Sequence, residues 1–155
     1  MSRKKQTYQK KPFESTGESS DTSANIYISM LVSPAWQDLT ANQQRLYLYC
    51  KAQYYAEKKK PNNDPLSFTM NQSKWSGLYK LYEKNNAKGF YRDLTALIEH
   101  GFIACVESGA ATRTKSIYRY SSMWQKYQTP AFTISPSEMT LSMRRKRVKG
   151  AEKDK

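Results

Sequence analysis

Few of the side chains that build metal sites or hydrolytic active sites occur in this chain of 155 residues. Its single histidine is His100, and its two cysteines, Cys50 and Cys105, lie in separate apolar stretches. Two isolated cysteines are typical of small core side chains and do not make a disulfide framework or a zinc-binding set. Because such cysteine use favours a reducing compartment, we expect a cytoplasmic protein without a bound metal.

Long hydrophobic runs and phosphate-binding motifs are also missing. No apolar run approaches the ~20 residues that a membrane-spanning helix needs, and no apolar segment follows the basic first residues as it would in a secretory signal. There is no GxxxxGK[ST] loop and no carboxylate cluster for metal-assisted phosphodiester cleavage. His100 ends a predicted helix, where a cation is favourable. We therefore expect no enzymatic activity, no cofactor and no membrane association.

Negative charge is scarce relative to positive charge. The chain has 26 Lys and Arg against 13 Asp and Glu, a formal net charge of +13 at pH 7. About half of this excess lies in residues 25–129, which hold fourteen Lys and Arg against seven Asp and Glu. A basic body, and not only basic ends, favours a polyanionic partner, most simply nucleic acid. The alternative is a soluble protein that is merely basic.

Composition predicts three segments. Residues 1–24 are rich in Lys, Ser, Thr, Gly and Glu, with only Tyr8 and Phe13 as large apolar side chains, and predict a disordered basic N-terminal tail. Residues 25–129 combine aromatic side chains with periodic apolar patterns and predict one folded domain. Residues 130–155 begin with prolines and few apolar anchors and contain the run RRKRVK, which predicts a flexible basic C-terminal tail.

Capping signals predict the first helices of the domain. Ser33 followed by Pro34 indicates a short helix with a serine cap and proline at its first position. Thr40, with Gln43 three residues later, is a capping-box pattern at the start of a long helix. The stretch 26–32 before them is apolar and is compatible with a strand or with a lead-in that packs on the core.

A second group of elements follows the long helix. Lysines 58–60 end that helix, where they either complement the helix dipole or contact phosphates. Residues 66–70 alternate between apolar and polar side chains and predict a short edge strand. Residues 72–82 predict a short helix, with Trp75 and Leu78 facing inward.

The stretch 86–103 is the centre of the pattern. Apolar residues fall at i, i+4, i+7 and i+8 of one helix face, at Phe90, Leu94, Leu97 and Ile98. Gly101 suits the left-handed position after a helix. The apolar run FIACV, the polar loop ESGAATRTKS and the run IYRY then predict a hairpin of two strands. Together these elements predict an α+β fold with a small antiparallel sheet.

The opposite face of this central helix is polar. At about 100° per residue, the side chains that point away from Phe90 are Asn85, Lys88, Arg92, Thr95 and Glu99, with Tyr91 at the border. Cations, amides and hydroxyls of this kind contact phosphates and base edges. The alternative is an ordinary solvated face, but the basic hairpin that follows favours a nucleic-acid contact.

This order of elements resembles the winged helix-turn-helix. The most specific part is a pattern in which the second helix of the motif ends Leu-x-x-Leu-Ile-x-x-Gly-Phe-Ile, formed here by Leu94, Leu97, Ile98, Gly101, Phe102 and Ile103. The resemblance covers about residues 38–122. It implies an α+β winged helix-turn-helix with a small antiparallel sheet, flanked by the disordered basic tails.

The resemblance also implies which residues bind double-stranded DNA. The second helix of the motif would enter the major groove through Asn85, Asn86, Lys88, Tyr91, Arg92 and Thr95. The wing would contact the backbone or minor groove through Thr112, Arg113, Thr114 and Lys115. The tails would add non-specific phosphate contacts through Lys4, Lys5, Arg144, Arg145, Lys146 and Arg147.

Two groups of DNA-binding proteins from Gram-positive plasmids and conjugative transposons resemble this chain. They are the amino-terminal domains of replication initiators and the small accessory proteins of conjugative transfer. Because no large second domain follows, we expect an accessory or regulatory factor of a mobile genetic element, with other transfer or replication proteins as further partners. Two alternatives stay open: a protein–protein interaction module on a winged-helix scaffold, and an RNA-binding protein that stacks Tyr and Arg on unpaired bases.

Overall fold

The computed structural model describes residues 9–109 and 113–153 of the chain. These residues form five α-helices and a three-stranded sheet. The helices are α1 (Ile28–Leu31), α2 (Pro34–Gln37), α3 (Ala41–Ala56), α4 (Ala87–Glu99) and α5 (Leu141–Lys153). The strands are β1 (Ser67–Phe68), β2 (Ile103–Glu107) and β3 (Ile117–Tyr120). A π-helical segment spans Ser73–Leu78, and short 3-10 turns span Pro61–Asn63, Met123–Lys126 and Pro136–Glu138. The predicted α+β class with a small antiparallel sheet is confirmed.

Local capping signals set the starts of the first helices as predicted. The Ser33 hydroxyl accepts a hydrogen bond from the Trp36 amide (3.2 Å) at the start of α2. At the start of α3, the Thr40 hydroxyl accepts from the Gln43 amide (3.3 Å), and the Gln43 side chain accepts from the Thr40 amide (3.0 Å). The stretch 26–32, which the sequence left open, contains the helical turn α1 and no strand.

The long helix α3 ends at Ala56, earlier than predicted. Lys60 folds back on the end of this helix, and its ammonium donates to the carbonyls of Gln53 (2.9 Å) and Tyr54 (2.5 Å). Both carbonyls lie near the end of the helix, where an α-helix leaves acceptors open. Of the two roles considered for these lysines, Lys60 therefore has the one at the helix end and not a phosphate contact. The two lysines before it are exposed.

The short helix predicted over residues 72–82 is a π-helical segment, and its geometry changes which side chains face inward. Trp75 is buried as predicted, and its ring stacks on Phe90 with centroids 4.9 Å apart. The prediction for Leu78 is wrong, because this side chain is 69% exposed. A π-helix has i to i+5 hydrogen bonds and turns less per residue than an α-helix, so the 100° spacing behind that prediction does not apply. Tyr79 and Tyr82 pack on the core from the following turn.

Helix α4 carries the apolar stripe that the sequence predicted. Its large buried apolar side chains are Phe90, Leu94, Leu97 and Ile98. Asn86 begins the helix, since its side-chain oxygen accepts from the Gly89 amide (3.1 Å). Gly101 follows the helix with a φ of +80°, and a Cβ there would lie 2.6 Å from the backbone nitrogen of Trp124. The predicted left-handed glycine is confirmed, and close packing as well as φ requires it.

The sheet has the strand order β1-β3-β2, and both pairs are antiparallel. Phe68 of β1 lies opposite Tyr118 of β3, and Tyr118 lies opposite Cys105 of β2. These three side chains are buried and form the sheet side of the core. Helix α3 packs on α4 and β1, and α4 also packs on β2. The β2–β3 hairpin therefore follows α4 directly, both along the chain and in space.

Part of residues 130–155, for which the sequence predicted a flexible tail, packs on the domain. Met139 is buried, and Ile134 and Met143 pack against the core. The 3-10 turn Pro136–Glu138 packs on the edge strand β2, and α5 follows it. Composition does not indicate this packing, because the apolar anchors here are few and far apart. Their contacts with β2 and the core, which composition does not reveal, hold the segment in place.

Candidate nucleic-acid interface

Helix α4 presents a polar face opposite its buried stripe. Lys88, Tyr91, Arg92 and Glu99 are exposed, and Thr95 is half-buried. The Tyr91 ring keeps 51% of its surface in solvent while contacting Phe90 edge-on, with centroids 5.0 Å apart. The structure thus brings the predicted α4 side chains together on one accessible face.

The turn before α4 adds further polar groups. Asn85 is exposed, whereas Asn86 already uses its side-chain oxygen to cap α4. Two exposed lysines that the sequence analysis did not select, Lys80 and Lys84, also lie in this turn. The side-chain amide of Gln72 holds the turn by donating to the Lys84 carbonyl (2.9 Å). A signal for these lysines was available, because cations recur every four residues from the turn into α4.

Arg92 is tied to a buried carboxylate beside it. Its Nε and Nη2 donate to the two oxygens of Asp93, at 3.2 and 3.4 Å. The Arg92 side chain is 69% exposed, whereas that of Asp93 is 2% exposed. The hydrogen bond and the negative charge of Asp93 raise the pKa of Arg92. Because a guanidinium has five N–H donors, these two bonds leave donors for an acceptor outside the protein.

Asp93 itself is a buried charge that the sequence analysis missed. It also accepts hydrogen bonds from the Tyr82 hydroxyl (2.7 Å) and from the side-chain amide of Gln43 (3.5 Å). Burial, and then the bond to Asp93, raise the pKa of Tyr82, which therefore stays a neutral donor. A buried carboxylate is tolerated when it is paired and hydrogen-bonded, so these partners fix Asp93, and Asp93 fixes Arg92. The available signal was a lone carboxylate three residues after Phe90, inside the apolar stripe.

The loop between β2 and β3 is closed at Gly109. Its carbonyl accepts from the Thr114 amide (3.1 Å), and its amide donates to the Ser116 hydroxyl (3.0 Å). A Cβ on Gly109 would lie 1.8 Å from the Thr114 carbonyl oxygen, so this close approach of two backbone segments admits only glycine. The glycine thereby fixes where the loop leaves the sheet.

Three of the four predicted wing residues are described, and all three are exposed. They are Arg113, Thr114 and Lys115, which lie on the returning side of the loop. Thr112 lies outside the described residues. Arg113 has a φ of +54°, in the left-handed region that is uncommon for residues with a Cβ. The two cations of the loop are accessible in the hairpin that directly follows α4.

The predicted tail contacts divide into two groups. Lys4 and Lys5 lie outside the described residues. Arg145, Lys146 and Arg147 are exposed on α5, and Arg144 is half-buried. The structure therefore assigns the C-terminal cations to a helix of their own.

His100 joins three segments of the fold. Its Nδ1 lies 2.6 Å from the Ala96 carbonyl oxygen, and its Nε2 lies 2.8 Å from Asp38, the residue that ends α2. The Tyr127 hydroxyl donates to the same carboxylate (2.6 Å), and this bond, followed by that of His100, holds the pKa of Asp38 below its usual value. His100 therefore has a packing role at the end of α4.

What α4 and the loop offer is anion binding, ring stacking and hydrogen-bond donation. Within residues 9–109 and 113–153, no three His, Cys, Asp or Glu side chains are grouped so that they could hold a metal ion. Among the helices that the structure describes, none has the length and apolar character to cross a membrane. No protein family, no curated protein and no solved structure matches this chain.

Proposed function

We propose that the body of this protein is a winged helix-turn-helix domain that binds double-stranded DNA and carries out no chemistry. The order of the elements supports this: α3, β1, the π-helical segment, α4 and then the β2–β3 hairpin. The sheet order β1-β3-β2 supports it too, since the short first strand pairs with β3, the second strand of the hairpin. In this proposal α4 enters the major groove, and the loop closed by Gly109 is the wing.

The observation that carries the proposal is the tethered Arg92 on the exposed face of α4. A side chain held by Asp93 loses fewer conformations when it binds, which lowers the entropic cost of the contact. The remaining donors of the guanidinium suit the O6 and N7 acceptors of guanine in the major groove.

The surrounding side chains fit contacts with the DNA backbone. Lys88 at the start of α4, and Lys80 and Lys84 in the turn before it, can neutralise phosphates along one strand. Arg113 and Lys115 can do so from the wing. Tyr91 adds a ring with a hydroxyl that can donate to phosphate or sugar oxygens. These contacts set orientation and affinity, while Arg92 supplies sequence preference.

The biological setting of this activity is proposed from the sequence resemblance alone. Proteins of this kind from plasmids and conjugative transposons act in transfer or replication. We place this chain among their accessory or regulatory factors, with other transfer or replication proteins as further partners and the cytoplasm as the compartment.

A protein–protein contact is the second candidate function, and one surface favours it. Four large apolar side chains around α1 are exposed: Tyr27, Ile28, Leu31 and Val32. Exposed apolar side chains close together in sequence are typical of contact surfaces. This surface belongs to α1, so it is compatible with DNA binding through α4.

The proposal is tested by competition binding of the full chain to duplex DNA, single-stranded DNA and structured RNA over a salt series. With ~5 phosphate contacts from α4, the turn before it and the wing, the slope of log K against log[salt] on duplex DNA should be about −4.5 or steeper. The affinity for duplex DNA should exceed the affinities for single-stranded DNA and structured RNA at every salt concentration. A flat titration or no duplex binding at low salt would refute the DNA proposal and favour the protein contact. Preference for unpaired RNA would favour the RNA-binding alternative.

A further inference from the structure

Helix α5 concentrates positive charge more than any other helix that the structure describes. Its cations are Arg144, Arg145, Lys146, Arg147, Lys149 and Lys153, against the single acid Glu152. Within the described residues, none of these cations takes part in an ion pair. The helix therefore carries a nearly uncompensated charge, in contrast to the paired Arg92 of α4.

Three of these cations form a stripe along α5. Arg145, Lys149 and Lys153 are spaced at i, i+4 and i+8, which places them on one face of an α-helix, and all three are exposed. Like charges at this spacing destabilise a helix in water. A row of anionic groups along the stripe would offset the repulsion between these cations. The charge pattern therefore favours binding to a polyanion.

The first turn of α5 is docked on the domain. Thr140 caps the helix, since its hydroxyl accepts from the Met143 amide (3.2 Å). Met139 is buried just before the helix, and Met143 packs on the core. The preceding 3-10 turn, Pro136–Glu138, packs on β2. From Arg145 onward every described residue of α5 is exposed, so the helix projects from a fixed origin at the wing strand.

That origin lies close to the surface proposed to face DNA. The 3-10 turn before α5 packs on β2, and β2 also packs on α4. Strand β2 pairs with β3 in the hairpin whose loop is the proposed wing. Helix α5 therefore begins beside the hairpin that follows α4.

We propose that α5 is an ordered phosphate clamp, which holds the backbone of the same duplex that α4 reads. This inference depends on the proposed function. The stripe from Arg145 to Lys153 is about 12 Å long at a rise of ~1.5 Å per residue. That length matches about three phosphates of one strand at one per ~3.4 Å of helix axis. The C-terminal cations then act from a rigid helix, and a flexible tail is no longer needed to explain them.

The composition of α5 favours DNA over an anionic membrane. A helix that lies on a membrane needs an apolar face to insert below the headgroups. Beyond the docked first turn, the only large apolar side chain of α5 is Val148, which is 59% exposed. The exposed part of the helix therefore offers charge without an apolar face.

Val148 provides a test that separates an ordered helix from a flexible basic tail. Val148→Pro keeps every cation but breaks the helix before Lys149 and Lys153, and Val148→Ala is its matched control. A triple variant, R145Q/K149Q/K153Q, removes the stripe. Its matched control, K58Q/K59Q/K126Q, removes three exposed lysines elsewhere in the protein. All are full-length chains, measured by salt-dependent binding to duplex DNA and by circular dichroism.

The clamp predicts a reduction in the duplex salt slope of roughly two to three units for the stripe variant, and of about two units for Val148→Pro. Val148→Ala should bind like the parent, and the lysine control should change the slope less than the stripe variant does. If Val148→Pro binds like Val148→Ala while the stripe variant is weakened, the cations act as a flexible tail and the clamp is refuted. Equal losses in the stripe variant and its control would refute it as well, because total charge would then explain both.

The same series separates this inference from the proposed function. If every α5 variant binds like the parent, α5 makes no DNA contact, while a parent with a steep slope keeps the α4 proposal intact. If the parent protein does not bind duplex DNA, both the α4 proposal and the α5 clamp are refuted.

Discussion

Helices α4 and α5 both have 13 residues, and they hold their charges in opposite ways. α4 is packed along its length and ties Arg92 to the buried Asp93. α5 is packed only at its first turn and exposes Arg145 and the cations beyond it. In the proposed interface, arginine serves two purposes. The tethered Arg92 would contact a particular acceptor, whereas the free cations of α5 would attract any polyanion.

The largest expected effect breaks the packing of α4. Phe90 is 1% exposed and stacks on Trp75, so Phe90→Ala should lower the free energy of unfolding by ~3–5 kcal/mol through the cavity that it leaves. Val148→Ala on α5 should stay within about 0.5 kcal/mol of the parent. Urea titrations of the two variants measure both values. Equal stabilities would mean that the α4 stripe is not the core of the domain.

Removing the ion pair between Arg92 and Asp93 should leave Arg92 as a free cation, like the arginines of α5. Asp93→Asn removes the charge that holds the guanidinium and disturbs a buried hydrogen-bond network, so we expect a loss of about 1–3 kcal/mol in stability. Discrimination between a preferred and a scrambled duplex should also decrease, because Arg92 is no longer aimed. Tyr82→Phe is the control, since it removes one bond to Asp93 and keeps the charge. A variant Asp93→Asn that discriminates like the parent would show that the tether has no part in DNA reading.

Arg92→Ala and Arg145→Ala compare the tethered and the free arginine directly. Both side chains are largely exposed, so neither change should cost much stability. Arg92→Ala should lower the preference for a duplex selected from a random pool by ~1–3 kcal/mol relative to a scrambled one. Arg145→Ala should weaken both duplexes about equally. If Arg92→Ala and Lys88→Ala both bind the two duplexes unchanged, α4 is not the DNA-reading element.

Substitutions in the wing should lower affinity without changing site preference, like those in α5 and unlike Arg92→Ala. Arg113→Ala and Lys115→Ala remove exposed cations from the loop, so each should reduce the salt slope by about one unit for every lost phosphate contact. Preferred and scrambled duplexes should lose affinity together. Gly109→Ala tests the loop geometry instead of its charge, and it should affect both duplexes as well because the loop cannot close. A change in site preference in Arg113→Ala would mean that the wing reads bases.

The smallest effect concerns Asp38, an exposed carboxylate that contacts His100 and Tyr127. The pKa of Asp38 is lowered chiefly by the Tyr127 hydroxyl and then by His100, so its stabilising contribution is present above the usual value of 3.8 and is lost as pH falls through the lowered pKa. Tyr127→Phe should move the Asp38 pKa upward in an NMR titration, and duplex binding at neutral pH should stay unchanged. An unchanged Asp38 titration in Tyr127→Phe would contradict the hydrogen bond.

Short-range signals made much of the fold predictable from the sequence. The caps at Ser33, Thr40 and Asn86 each involve partners within three residues, so their patterns can be read locally. The apolar stripe of α4 and the glycine at 101 are local in the same sense. The outward placement of Arg92 followed from the stripe, because the helical period fixes both faces at once.

The features that escaped prediction depend on contacts between distant segments. Asp93 is stabilised by Gln43, fifty positions away along the chain, and no local pattern announces that pair. α5 is held by contacts with β2 and the core, so its composition alone resembled a flexible tail. Leu78 was misplaced because the assumed period belonged to the wrong kind of helix.

The corner at Gly101 has a consequence for the time course of synthesis. The carbonyl of this glycine accepts from the Trp124 amide (2.9 Å), and the space where its Cβ would be is occupied by the backbone at Met123 and Trp124 and by the ring of Phe132. A ribosome synthesises α4 and β2 before it synthesises those residues, so α4 leaves the ribosome before Phe132 does. The α4–β2 corner therefore reaches its final packing only after Phe132 has emerged, and a nascent chain that stalls before that point holds α4 with one end uncovered.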